Sequence, residues 1–466
     1  MPSRLGEPCR RPIGWVLPLS ALLGLLGVAP VPTAAAADAP NSLGLTATYD
    51  VSATLRWSEN RLSVTSVATV TNTTDRVVDA LTFNFIPARI GRLALHEVRV
   101  GDEGANAQVD DANLIVSMPL PLDPGAQTTV TIAYDATFNT GAKKKKWLFA
   151  KIDNVVTAYR WIPWLSKPHS WSTPNFGETY VTQVASDVRV TLSSDRAGVK
   201  YATTGTLVES DGLSQVFVAY NVRDFNFSAS PRYKVSTIQH NGVTLSTYML
   251  SLSSSALSGF TQTAFDEFSE KIGPYPYAML DVAEIPRGGG MESPGMLWIP
   301  SNATSAARKR YLVTHEVAHQ WFYGVVGNDQ ATDPFADEAL AEFLVRTIVG
   351  FRVSKCAERN LDGGVYDYGS TCYYETIYVQ GADYLNDYRD RVGDQAFWAG
   401  LRAYYEKFRY GLGGTFELLQ TLDEQAGESG GGHELRFPSL YPPEPEPTPP
   451  PPAPTPPPPE PTAAPA

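Results

Sequence analysis

Positive charge is in short supply in this chain: 37 lysines and arginines face 49 aspartates and glutamates, a formal net charge of -12 over 466 residues. Composition therefore offers no basic face to nucleic acid or to anionic lipid, which argues against a nucleic-acid enzyme. An uninterrupted apolar run is also missing. The one candidate, over 13–31, is broken by glycine and proline, and its core falls short of the roughly 20 residues a spanning helix needs. Cysteine is scarce, with three in the chain, and histidine is sparse, with six, so a pair of histidines at ligand spacing carries weight.

The first residues do have the three parts of an export signal: Arg4, Arg10 and Arg11, then the apolar stretch, then small residues from Ala34 to Ala37. Residues 1–37 are read as a signal peptide cut after Ala36 or Ala37, with an uncleaved anchor as the alternative. Cleavage implies a secreted, periplasmic or cell-envelope location and no stable membrane insertion afterwards. It makes the remainder more acidic and removes Cys9. The two cysteines that stay, Cys356 and Cys372, are in an oxidising compartment most simply a disulfide closing one surface loop; two separate buried thiols are the other reading.

With 43% hydrophobic and 11% aromatic residues there is material for more than one core. From Tyr49 to Trp57 apolar and polar residues alternate, and the period recurs at Leu81, Phe83 and Phe85 and at Val130, Ile132 and Tyr134. Turn clusters such as Asp123-Pro124-Gly125 separate these runs at sandwich-like spacing. Lys143 to Lys146 reads as a solvated loop. After Ser251 the period becomes helical: Leu257, Phe260, Ala264, Phe265, Phe268 and Ile272 recur on one face until Gly273-Pro274. Met279 to Ile285 reads as a strand, 288–290 as a tight irregular segment and 306–323 as a long helix. Asp333-Pro334, a capping residue followed by proline, announces another helix running to about Gly350. Further helical patterns cover roughly 378–388 and 395–408. From Tyr441 the chain is mostly Pro, Glu, Thr and Ala, with almost nothing to bury. The expected fold class is multidomain α+β: an antiparallel β-sandwich over 42–238, a mainly helical domain over 239–427 and a disordered Pro-rich tail over 428–466.

The chemistry is concentrated in His315-Glu316-Val317-Ala318-His319. Two imidazoles four residues apart project from one face of a helix and can share a metal, while Glu316 sits beside the metal's water. Glu338 lies far enough beyond His319 for the chain to turn back and present it, from the helix after Asp333-Pro334, as a third ligand. Three protein ligands leave one position for water, the arrangement of a catalytic rather than a structural zinc site, with one Zn2+ per chain. Glu342, one turn past Glu338, is either the acceptor for the other ring N–H of a ligand histidine or a solvated helix carboxylate.

These residues, with Gln320-Trp321-Phe322 after the histidines and Gly289-Gly290-Met291-Glu292 after Tyr275-Pro276-Tyr277, resemble the zinc aminopeptidase family of gluzincins that includes aminopeptidase N and the leukotriene hydrolases. The resemblance spans about residues 42–427 and implies a thermolysin-like catalytic domain acting on peptide substrates. It implies that Gly289, Gly290 and Met291 run along the substrate and that Glu292 binds its α-amino group; a plain loop glutamate is the other reading. It also implies that the tyrosine of Tyr378-Val379-Gln380-Gly381 donates to the oxyanion, with Tyr373 and Tyr374 as competitors. Departures from the family pattern are Ser293 where asparagine is usual, Asp337-Glu338-Ala339-Leu340 around the third ligand, and Trp161-Ile162-Pro163-Trp164 where a second amine-anchoring group would be sought. The expected function is an exported aminopeptidase. An endopeptidase with the same metal centre and an inactive binding module of the same fold are the rivals.

Overall fold

The alternating runs pair into sheets with their apolar faces inward. The computed structural model describes residues 40–170, 180–350, 353–369, 372–427 and 432–442; the expected signal peptide and the Pro-rich stretch from 443 lie outside the described residues. Thr46–Arg56, with Tyr49, Val51, Ala53 and Leu55 buried, pairs antiparallel with Arg61–Thr71, which pairs in turn with Gln127–Thr137. The eight-stranded sheet built around them contains one parallel contact, Thr46–Arg56 against Val188–Ser194, so the sandwich is not purely antiparallel. Two four-stranded sheets share its core, where Tyr134, Trp161 and Phe227 are buried. Lys143 to Lys146 are exposed or half-buried, with Lys144 and Lys145 in left-handed backbone, and lead into the buried Trp147 and Leu148.

A five-stranded sheet comes next, in the order Lys234–His240, Val243–Met249, Met279–Ile285, Met296–Pro300, Met291–Ser293. Its first two strands form a hairpin through Asn241 at φ 50° and Gly242 at φ 81°, the left-handed pair that a tight two-residue turn requires. The boundary expected between 238 and 239 falls inside this hairpin. The segment Met291–Ser293 is the outermost strand and pairs on one side with Met296–Pro300.

Ser253 and Ser305 cap the helices Ser254–Lys271 and Ala306–Ala318, each serine oxygen accepting from the amide three residues on, worth about 1 kcal/mol apiece. The second helix stops at Ala318 rather than Tyr323. There Tyr323 takes φ 106° and the amide of Gly324 donates back to the carbonyl of His319. Asp333 does not cap the helix after it. Its carboxylate accepts instead from the amide of Thr415 at 2.8 Å, so it serves the helix Thr415–Ala426. The tail boundary at 428 also needs correction, because His433 and Phe437 are buried, the latter against Phe335. No helix among the described residues is long and apolar enough to cross a membrane.

Candidate metal centre

The buried half of helix Ala306–Ala318 presents His315 and Glu316, and His319 comes next as its capping residue. Glu338 belongs to a π-helical turn, Phe335–Ala339, that leads into helix Leu340–Ile348. The turn brings its Oε2 to 3.2 Å from His315 Nε2 and 3.4 Å from His319 Nε2, and the two imidazole nitrogens lie 3.2 Å apart. A tetrahedral metal with bonds of roughly 2.05 Å holds its donors about 3.3 Å from one another, so three buried donors of the right type stand at the spacing one ion requires. Burial opposes charge on Glu338 and His319. Even so, His319 and the hydrogen bonds from both imidazoles hold Glu338 well below the usual carboxylate range, and Glu338 holds the His319 imidazole well above its ordinary value. A buried carboxylate beside two imidazoles is a donor set that suits a divalent cation.

Each histidine is oriented differently. Nδ1 of His319 donates to the carbonyl of Phe322 at 3.1 Å, which leaves Nε2 with its lone pair for a metal. His315 lies between two aromatic rings, Tyr311 on one side (centroids 5.9 Å, 16° between planes) and Tyr378 on the other (5.4 Å, 17°). Glu342 is buried rather than solvated, but its Oε2 is 4.0 Å from His315 Nδ1, beyond a hydrogen bond, and accepts from Tyr311 Oη at 2.7 Å. The metal-binding pattern does not single out Tyr311. Its place one helical turn before His315 is the signal that it shares that face.

Glu316 is 4% exposed, and its carboxylate, with that of Glu292 and a nitrogen of His319, falls within a 4.8 Å cluster. Gly290 makes this possible: a Cβ there would stand 1.9 Å from Glu316 Oε1. Gly288, at φ 136°, packs closely against the Trp147 indole, so the β half of the chain holds the glycine segment in place. Gly290→Ala is expected to leave the fold nearly unchanged, because the tip of a side chain can yield, yet to misplace the carboxylate and cut turnover at least tenfold, about 1.4 kcal/mol. Comparing kcat/KM and metal content of the variant with wild type checks this; unchanged turnover would mean that Glu316 does not need that position.

Glu292 is buried on the edge strand, and burial raises its carboxyl while His319 offsets part of the rise. Trp161 to Trp164, where a second amine-side group would be sought, are buried packing. The neighbours of Glu292 come instead from Tyr159, whose Oη lies 3.5 Å from Oε1, and from Gln330, whose Nε2 lies 3.3 Å from it. Ser293 is held by Asn226 Nδ2 at 2.8 Å, and Gln320 fixes the strand by donating to the Ser293 carbonyl at 2.9 Å.

Of the three candidate tyrosines, Tyr378 is the one stacked on a ligand histidine; Tyr373 is fully buried and packs on Tyr378, and Tyr374 is 39% exposed. Tyr378 lies in a second π-helical turn, Tyr374–Gln380. The two π turns meet where a Cβ on Gly381 would stand 2.6 Å from Ala339, so the glycine of the tyrosine motif allows the close approach that sets Tyr378 on the metal side of the fold. Cys356 and Cys372 are bonded, with Cα atoms 5.6 Å apart, just ahead of this turn.

No family model matches the chain. Relatives by sequence are aminopeptidases. Aminopeptidase M1-A of Oryza sativa subsp. japonica is 27% identical over 189 residues, 33% of this chain and 22% of that protein. Aminopeptidase N of Lactococcus lactis subsp. lactis is 28% identical over 174 residues, 30% and 20%. The match to endoplasmic reticulum aminopeptidase 2 of Homo sapiens is longer, 254 residues at 26% identity, 47% and 26%. The matched segments thus span about a fifth to a quarter of these relatives' own length. Among solved structures, the M1 zinc metallopeptidase of Deinococcus radiodurans superposes with a TM-score of 0.64 at 20% identity over 83% of this chain and 92% of that one. Yeast LTA4 hydrolase gives 0.63 at 16% identity over 84% and 68%. The fold is that of the two-domain M1 zinc metallopeptidases, and over a third to a half of its length the sequence is similar to aminopeptidases.

Proposed function

We propose that this chain is an exported zinc aminopeptidase, and the single observation that carries the reading is the convergence of four buried groups: His315, His319 and Glu338 at tetrahedral spacing, with Glu316 against Gly290 beside them. Zinc bound there supplies Lewis-acid polarisation of a carbonyl and a water acidic enough to ionise near neutral pH. Glu316 then accepts the proton of the attacking water and delivers it to the departing amine. Tyr378, held against His315, donates its hydroxyl to the oxygen that gains charge. Met291–Ser293 has one backbone edge unpaired within its sheet, so an extended peptide can add alongside it, and Glu292 pairs with the peptide's α-ammonium. The D. radiodurans enzyme has been solved as a mutant with a Tyr-Ser-Ala substrate, which supports peptides as the substrate class here. Export is supported by Arg4, Arg10 and Arg11 ahead of an apolar run ending in small residues, and by the bonded cysteine pair.

The test is a panel of free and amino-acetylated peptides given to the purified mature protein. Free peptides are expected to lose their first residue, acetylated ones to be poor substrates, and Glu292→Ala to cost about 2 kcal/mol in kcat/KM on free substrates, the scale of a lost charge-assisted contact. Internal cleavage of acetylated peptides at the rate seen for free ones would replace this reading with an endopeptidase.

A further inference from the structure

Gln330 is 1% exposed, and both ends of its amide are engaged. Its oxygen accepts from Arg160 Nη2 at 2.7 Å, and its nitrogen donates to Glu292 Oε1 at 3.3 Å and to Asp337 Oδ2 at 3.0 Å. A guanidinium can only donate, so Arg160 decides which way the amide faces, and both N–H bonds are turned to the carboxylates. Arg160 is itself held in place. Its backbone amide donates to Asn226 Oδ1 at 2.6 Å, its Nε lies 3.6 Å from Asp224 Oδ2, and the rings of Tyr159, Tyr180 and Tyr323 surround it. Asp337 is tied to the metal side: its Oδ1 accepts from the amide of Glu338 at 2.8 Å and from Asn328 Nδ2 at 3.1 Å.

One amide therefore spans the edge strand that carries Glu292 and the turn that carries Glu338. An amide that gives one N–H to each of two buried carboxylates satisfies an acceptor on both and ties them together. Tyr159 and Gln330 both approach Oε1 of Glu292, which holds the carboxylate from two sides. We propose that Gln330 is a positioning residue for amine recognition, setting the carboxylate of Glu292 at a fixed distance from the ligand turn so that a free α-ammonium places the first peptide bond over the metal ligands. This rests on the reading of Glu292 as the amine anchor.

The experiment uses full-length mature Gln330→Met, which keeps length and burial but offers no donor, with an aminoacyl anilide and its acetylated counterpart. The KM for the free substrate is expected to rise about tenfold, equivalent to about 1.4 kcal/mol, with kcat and zinc content near wild type. Gln330→Asn, which keeps the amide but draws it back from both carboxylates, is expected to show the same split and serves if the Met variant does not fold. A wild-type enzyme that treats free and acetylated substrates alike defeats the amine reading and this proposal with it. A wild type that prefers free substrates, beside variants that do so with unchanged KM, defeats the proposal alone. Loss of metal or fold in both variants would make Gln330 a structural residue and also overturn it.

Discussion

Glu316→Gln is expected to keep its zinc and lose turnover by about 10²- to 10⁴-fold, the range of a lost general base. The carboxylate is not among the three donors that meet at 3.2 to 3.4 Å, so the amide removes no ligand. It is nearly isosteric, and the space left by Gly290 accepts it as readily as the native side chain. What it cannot do is take a proton from water. Metal analysis alongside kcat/KM checks this, and near-native activity with full zinc would place the base elsewhere.

His315→Ala and His319→Ala are each expected to take zinc from about one ion per chain to almost none after dialysis, because two donors in place of three no longer hold it against solvent. Beyond the loss of metal, the two variants should differ. Losing His315 also removes the ring between Tyr311 and Tyr378, so added zinc should restore little activity even where it binds. Losing His319 leaves Glu338 buried without the partner that most strongly favours its charged form, and thermal stability of the metal-free protein should fall at neutral pH. Metal stoichiometry, activity after zinc addition and thermal unfolding separate these effects, and full zinc in both variants would sink the ligand assignment.

Local pattern makes much of this site legible. Four-residue spacing on a helix puts two side chains on one face, so the pair His315 and His319 comes from helix geometry alone. Alternation from Tyr49 to Leu55 dictates which face of the first strand is buried, because the strand repeat is two residues. The signals fail where the backbone departs from those periods. Both π turns widen the helix by one residue, so the repeat across Phe335–Ala339 and Tyr374–Gln380 is out of step with 3.6, and only their placement in space shows that they meet at Gly381 and Ala339. The early end of the histidine helix at Ala318 likewise depends on Tyr323 and Gly324 turning back on it.

Donor chemistry and short-range spacing are local properties, and they are enough to mark the candidate metal ligands and base, His315, Glu316 and His319 on one helix with Glu338 within reach, and to mark Glu292 beside three glycines as the candidate amine anchor. The groups that surround them were settled by packing in three dimensions. Tyr311 rather than His315 occupies Glu342, Asp333 caps a helix far along the chain, and Tyr159, Arg160 and Gln330 converge around Glu292 from distant segments. Such contacts have no period to read, because each depends on two remote stretches of chain being packed against a common core, and a buried polar group takes whichever partner that packing brings within hydrogen-bond distance.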